Sequence, residues 1–233
     1  MLLVVSGSGY FDLGFSSYFS RERCRVECIE KILYCSFEHP KNIVSKAMSV
    51  SDKYCLKCLI IDYPWSNIEV LQSALYIKIH FPLISVVVYS NGGYRFNDLE
   101  ASYLEILGAK LNVGFSGVCS VLMQRRIPVS AVDIIYASAS RFVKISKKEA
   151  LLISFILAGV KLKDIASAYN KDIKRVYYDR SKLLNKFSIK NNIELESKIR
   201  CFVLCHTGGG LDERVSTSER KTGFIDLCDM VKQ

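Results

Sequence analysis

Residues 84–89 read Ile-Ser-Val-Val-Val-Tyr, and residues 59–62 read Leu-Ile-Ile-Asp. Both runs are short, rich in β-branched residues and almost wholly apolar, the pattern of strands buried on both faces. Between them Ile68, Leu71, Leu75 and Ile79 fall at helical spacing; after them Leu99, Tyr103, Leu104 and Leu107 do the same and stop at Gly108. Upstream, Leu2–Val5 is another apolar run, closed by Ser6-Gly7-Ser8-Gly9 and followed by Leu13, Phe15, Tyr18 and Phe19 at near-helical spacing. Cys24–Cys35 is a weaker strand region, and His39-Pro40 opens a short helix carrying Ile43, Val44, Ala47 and Met48. Strands alternating with helices imply right-handed crossovers and a parallel sheet covered on both faces. Sites in such a sheet form beyond the carboxyl ends of the strands, where Ser6 to Gly9, Asp62 and Ser90 stand. Gly7 and Gly9 lack the third glycine of a dinucleotide loop, whose place Asp12 takes, so this segment reads as a tight turn.

From Ile145 onward the period is helical throughout. Ser146-Lys147-Lys148-Glu149 has the spacing of a capping box, Leu152, Ile153, Phe155 and Ile156 supply an apolar face, and Gly159 is a stop. A second, shorter helix starts near Lys161 and holds Ile165, Ala166 and Tyr169; Tyr169 and Val176 are expected in the core. Asp172 caps a third helix running to about Phe187 with Val176, Leu183 and Leu184 inward, and Ile193, Leu195, Ile199, Phe202 and Val203 mark a fourth. A short helix, a brief turn and a longer basic helix make a helix-turn-helix arrangement.

The charge agrees with this division. The chain has 233 residues and a formal charge of +9. Residues 1–140 contribute +1, residues 141–200 contribute +9, and residues 201–233 contribute −1. An excess concentrated in one block points to a polyanion partner. An apolar share of 50% excludes a disordered chain, and four prolines with 13 glycines exclude collagen-like composition. The longest stretch free of charged residues, 79–94, is broken by His80, Pro82, Asn91, Gly92 and Gly93, so no membrane span is expected. The amino terminus carries no basic leader, and a soluble, cytoplasmic protein is expected.

Nine cysteines, an odd number, argue against a disulfide framework. Cys55 and Cys58 have zinc-knuckle spacing, but Cys58 opens a buried strand, and Cys201, Cys205 and His206 lie in another region; no metal and no cofactor are expected. His39, His80 and His206 form no catalytic constellation, and no enzyme is expected.

Over Ile145 to Leu195 the chain resembles, without a gap, the LuxR-type (NarL/FixJ) helix-turn-helix. The residues that carry the likeness are Ile145-Ser146-Lys147-Lys148-Glu149, Gly159 to Ala166, Arg175-Val176-Tyr177-Tyr178-Asp179 and Lys186-Phe187-Ser188-Ile189. Ile173-Lys174 and Asn191 to Leu195 look closer to the Rcs-type branch. The resemblance implies promoter DNA as partner, with Lys161, Lys163, Lys171, Lys174, Arg175, Tyr177, Tyr178, Arg180, Ser181 and Lys182 as the DNA-binding residues. It also implies dimerisation through the fourth helix, at Ile193, Leu195 and Ile199. Where the family has a lysine and a histidine in the recognition helix, this chain has Tyr177 and Asp179.

The amino-terminal half in turn resembles a response-regulator receiver. Asp62 matches the phosphoacceptor position and Ser90 the Ser/Thr switch position. The acidic pair expected after the first strand falls at about Ser6 and Gly7, and the lysine expected after the fifth falls near Gly114 or Phe115. With one carboxylate left, no conventional phosphotransfer is expected, and Asp62 and Ser90 read as relics. The expectation is therefore a receiver-like (flavodoxin-like) α/β domain over residues 1–126, a linker over 127–144, and an all-α four-helix helix-turn-helix domain over 145–205. Residues 206–233 form an extension. The function expected is transcriptional regulation as a dimer, independent of phosphorylation; the alternative is an auxiliary regulator that heterodimerises with a separate phosphorylatable response regulator.

Overall fold

The computed structural model describes residues 1–22, 32–36, 40–51, 56–63, 67–90, 94–123 and 129–207. Cys24, Cys28, His39, Cys55, Cys228 and most of the carboxyl-terminal extension lie outside the described residues. The apolar runs form β1 (Leu2–Val5), β2 (Ile32–Cys35), β3 (Cys58–Asp62), β4 (Ser85–Tyr89) and β5 (Lys110–Leu111). They pair in parallel in the order β2-β1-β3-β4-β5. This is the flavodoxin-like order, whose direction of winding reverses between β1 and β3. Val5 sits opposite Ile61 and Asp62 opposite Tyr89, so the strand ends of β1, β3 and β4 open onto one edge.

Successive strand residues point to opposite faces, and each face has its own helices. Leu2, Val4, Cys58, Ile60 and Val87 pack with Phe15 and Phe19 of α1 (Gly9–Glu22) and with Val118 and Val121 of α5 (Phe115–Met123). Leu3, Val5, Leu59, Ile61, Val86 and Val88 pack with α2 (Pro40–Ser51), α3 (Ile68–His80) and α4 (Asp98–Leu107). Each of these fully buried side chains contributes roughly 1.5–3 kcal/mol of transfer free energy. Lys78 of α3 is also buried; its amine donates to the Ile84 carbonyl, and burial lowers its pKa to about 8.

The stretch 127–144, expected as a linker, contains α6 (Ala131–Ala139). Ser130 accepts from the Val132 amide at 3.2 Å and caps it, and Ala131, Ile135 and Ala139 line up one buried face. Three of its four buried residues are small (Ala131, Ser138 and Ala139), and Val132, Ile134 and Tyr136 pack beside them only in part, so the buried face does not stand out as a stripe of large apolar side chains. It packs on α7 (Lys147–Leu157) and α10 (Asn192–Thr207), with α8 (Leu162–Ala168) and α9 (Ile173–Lys186) completing the helical half.

One core cluster runs from the sheet through α3 and α4 into the helical half. The α3 helix meets α7, and α4 meets α10. Tyr103 of α4, 1% exposed, donates to the Leu157 carbonyl at 2.6 Å and lies 3.3 Å from Glu196 Oε1. Gln72 of α3 donates to the Tyr103 hydroxyl at 3.5 Å. Gly159, at φ +70°, sits against the same Gln72 side chain.

Candidate nucleic-acid interface

The turn between α8 and α9 is built by local hydrogen bonds. Asn170 takes a left-handed conformation (φ 50°), the Lys171 amide donates to the Ala166 carbonyl at 2.9 Å, and the Asn170 amide donates to Ser167 at 3.1 Å. That pair of bonds is a Schellman closure, which satisfies carbonyls that would otherwise end α8 unpaired. Two residues later Asp172 accepts from the Lys174 amide at 2.9 Å and starts α9. Ile165, Ala166, Val176, Leu183 and Leu184 hold the two helices together from inside.

This leaves the amino-terminal half of α9 projecting outward, with side chains in rows four residues apart. Ile173 and Tyr177 form one exposed row, Lys174 and Tyr178 the next. Arg175 and Asp179 form a third and are ion-paired at 3.5 Å; Lys171 reaches the other Asp179 oxygen at 3.5 Å. Arg175 also lies over the Tyr178 ring and Lys171 over the Tyr169 ring, at 5.6 and 5.7 Å. Lys161, Lys163, Ser181 and Lys182 are exposed around this face.

Two placements differ from expectation. Arg180 is half-buried and its Nε donates to Asn192 Oδ1 at 2.8 Å, so this side chain is turned toward the start of α10. Tyr169 is 38% exposed; it rests edge-on against Phe155 at 5.7 Å and does not enter the core as Val176 does. Among the residues expected for dimerisation, Leu195 and Ile199 are completely buried. Their helix packs on α4 and α6 of the same chain, so in this arrangement they build the core and offer nothing to a second copy; Ile193 is exposed.

At the carboxyl end of the sheet, Ser6 Oγ donates to Asp62 Oδ2 at 2.8 Å. Burial raises the Asp62 pKa, and the Ser6 hydrogen bond opposes that rise. A second carboxylate, absent from the expected set, comes from the first turn of α1: Asp12, whose pKa is raised by burial and then by the Asp62 charge. The register of α1 swings Asp12 back over the strand ends, although it lies five residues beyond Gly7. Its Oδ1 is buried with no hydrogen-bond partner. The expectation of a single carboxylate is thus corrected to two.

Ser90 is engaged by Asn112, which follows β5: the Ser90 amide donates to Asn112 Oδ1 at 2.7 Å and the Asn112 amide group donates to Ser90 Oγ at 3.2 Å. Residues 112–123 contain no lysine. Two carboxylates without that lysine fall short of the receiver set of an acidic pair, an acceptor and a lysine. No group of three or more His, Cys, Asp or Glu placed to hold a metal occurs among the described residues. Next to Asp62, Tyr63 donates to the buried Glu100 of α4 at 2.8 Å, and Tyr94 donates to the same oxygen at 2.6 Å. Cys58 is fully buried, and burial pushes its thiol pKa up to about 12, which makes it an inert core residue. No helix among the described residues is long and apolar enough to cross a membrane.

No family model and no curated protein matches the chain. Among solved structures, one described as two RcsB dimers bound to two parallel DNAs is 18% identical, with 85% of this chain and 98% of that chain covered and a TM-score of 0.36. The Salmonella typhimurium RcsB response regulator, described for its conformational dynamism in DNA interaction, is 19% identical, with 85% and 96% covered and a TM-score of 0.34. RcsB from Salmonella enterica serovar Typhimurium bound to promoter rprA with phosphomimetic BeF3- is 18% identical, with 85% and 99% covered and a TM-score of 0.33.

Proposed function

We propose that the chain is a transcriptional regulator that binds double-stranded promoter DNA through α9, acts as a dimer, and works without aspartyl phosphorylation. The observation that carries this reading is the outward amino-terminal half of α9, held on a helix-turn-helix and ringed by the exposed Lys161, Lys163, Lys174 and Lys182. Lysines in these places neutralise phosphates and position the helix, while the outer face of α9 meets base edges. Independence from phosphorylation is supported by the reduced carboxylate set and by the engagement of Ser90 with Asn112. The dimer must form outside the Leu195–Ile199 surface while α10 is packed on α4 and α6. No catalytic role is assigned.

The test is fluorescence anisotropy with labelled duplex DNA. Lys163→Ala combined with Lys174→Ala is expected to weaken binding about tenfold or more at moderate salt and to flatten its salt dependence. Unchanged binding by this variant sinks the reading. The auxiliary-regulator alternative is favoured by one observation, Asp179, an acid on the DNA-facing helix that already occupies Lys171 and Arg175. Co-purification of a second response regulator, with little sequence preference in the isolated chain, would support it.

A further inference from the structure

Specific readout of a base edge by paired hydrogen bonds is usually the work of an arginine, a lysine, an asparagine or a glutamine. On the exposed amino-terminal half of α9 (Ile173 to Asp179) only Lys174 and Arg175 have such side chains, and there is no asparagine or glutamine. Arg175 is paired with Asp179 and lies over Tyr178, and Arg180 is tied to Asn192. Lys174 stands in the first turn, where the positive end of the helix already favours phosphate. What projects instead are Ile173, Tyr177 and Tyr178, exposed by 38%, 51% and 59%. Large apolar side chains grouped on a surface mark a contact site, and the surrounding lysines say that the contact is with a polyanion. Tyrosine also presents a rigid, broad face at small entropic cost.

We infer that α9 selects its DNA by apolar contact of Ile173, Tyr177 and Tyr178 with pyrimidine C5-methyl groups in the major groove, chiefly those of thymine. This rests on the DNA-binding reading and names the chemistry that the site recognises. The C5-methyl is the one apolar feature of the major-groove edge, and it distinguishes T·A from the other pairs. The Arg175–Asp179 ion pair competes with a contact of that arginine to guanine.

The experiment uses the full-length chain and four labelled duplexes: alternating dA-dT, the same with deoxyuridine for thymidine, alternating dG-dC, and the same with 5-methylcytosine. Each methylated member is expected to bind roughly fivefold or more tightly than its unmethylated partner at equal salt. Tyr177→Phe with Tyr178→Phe is expected to keep that ratio, because the rings remain. Tyr177→Ala with Tyr178→Ala is expected to bring it to within about twofold of unity, with the salt slope unchanged because phosphate contacts remain. Equal affinity for methylated and unmethylated duplexes overturns the inference while leaving DNA binding intact. Loss of the ratio in the Phe variant overturns it too, since readout would then run through the hydroxyls. Failure to bind any duplex removes both the inference and the reading beneath it.

Discussion

Asp179 holds two charged neighbours in place and Ser6 holds one. Asp179 is shared between Lys171 and Arg175 at 3.5 Å each, so it withholds two cations from any phosphate nearby. Asp179→Asn is expected to raise low-salt affinity for random duplex DNA and to steepen the slope of log K against log salt by roughly one to two, about 0.9 per phosphate gained. An unchanged slope contradicts the pairing. Ser6 donates to Asp62 and holds down a pKa that burial raises. Ser6→Ala is expected to move the Asp62 titration further upward, as read by carboxyl-carbon NMR; a downward move contradicts the geometry. Arg180, by contrast, shows what a sequence hides at this scale. Its spacing puts it near the outer face, and only the position of Asn192, twelve residues on, draws it away.

Elements are held by their ends. Asp172 alone caps the side of α9 that meets the turn, and Asp172→Ala is expected to cost about 1 kcal/mol in denaturant unfolding, with weaker DNA binding as the first turn frays. Glu149 caps α7 in a box with Ser146 and also accepts from Lys186 of α9 at 2.5 Å. Burial alone would raise its pKa, but the bonds from Lys186 and Ser146 outweigh burial and hold it below the ordinary 4.5. The folded state therefore binds fewer protons than the unfolded one in that range, and stability follows the deprotonated form. This contribution is full above pH 4.5 and is lost as pH falls through the lower folded value; Glu149→Gln is expected to remove that part of the acid sensitivity. Both caps were readable from residue type and spacing. The α6 helix was not, because its fully buried positions are mostly small (Ala131, Ser138 and Ala139), while its large apolar residues Val132, Ile134 and Tyr136 are only partly buried.

At the scale of the whole molecule, the two halves share a core and are joined through Tyr103. Unfolding is expected to proceed in one transition. Tyr103→Phe leaves the Leu157 carbonyl without its buried donor, a loss of about 1–2 kcal/mol, and faster amide exchange is expected at the end of α7 and along α10. The alternation of strands and helices and the helix-turn-helix were foreseeable because each follows from local periodicity; the strand order is set by long-range pairing and was implied only by the receiver resemblance. The docking of α10 on α4 was not foreseeable: Leu195 and Ile199 read as an apolar stripe, and nothing local says whether such a stripe meets a second copy or the rest of its own chain. Asp12 was missed for a related reason, since its approach to Asp62 depends on how α1 lies across the sheet.

Binding of DNA by the basic block with α9 is read from the affinity of the full-length chain for duplex DNA as salt is varied. Log K is expected to fall linearly with log salt, with a slope of about −3 or steeper, from phosphates met by lysines such as Lys161, Lys163, Lys174 and Lys182. A flat response, or no binding at low salt, would contradict it.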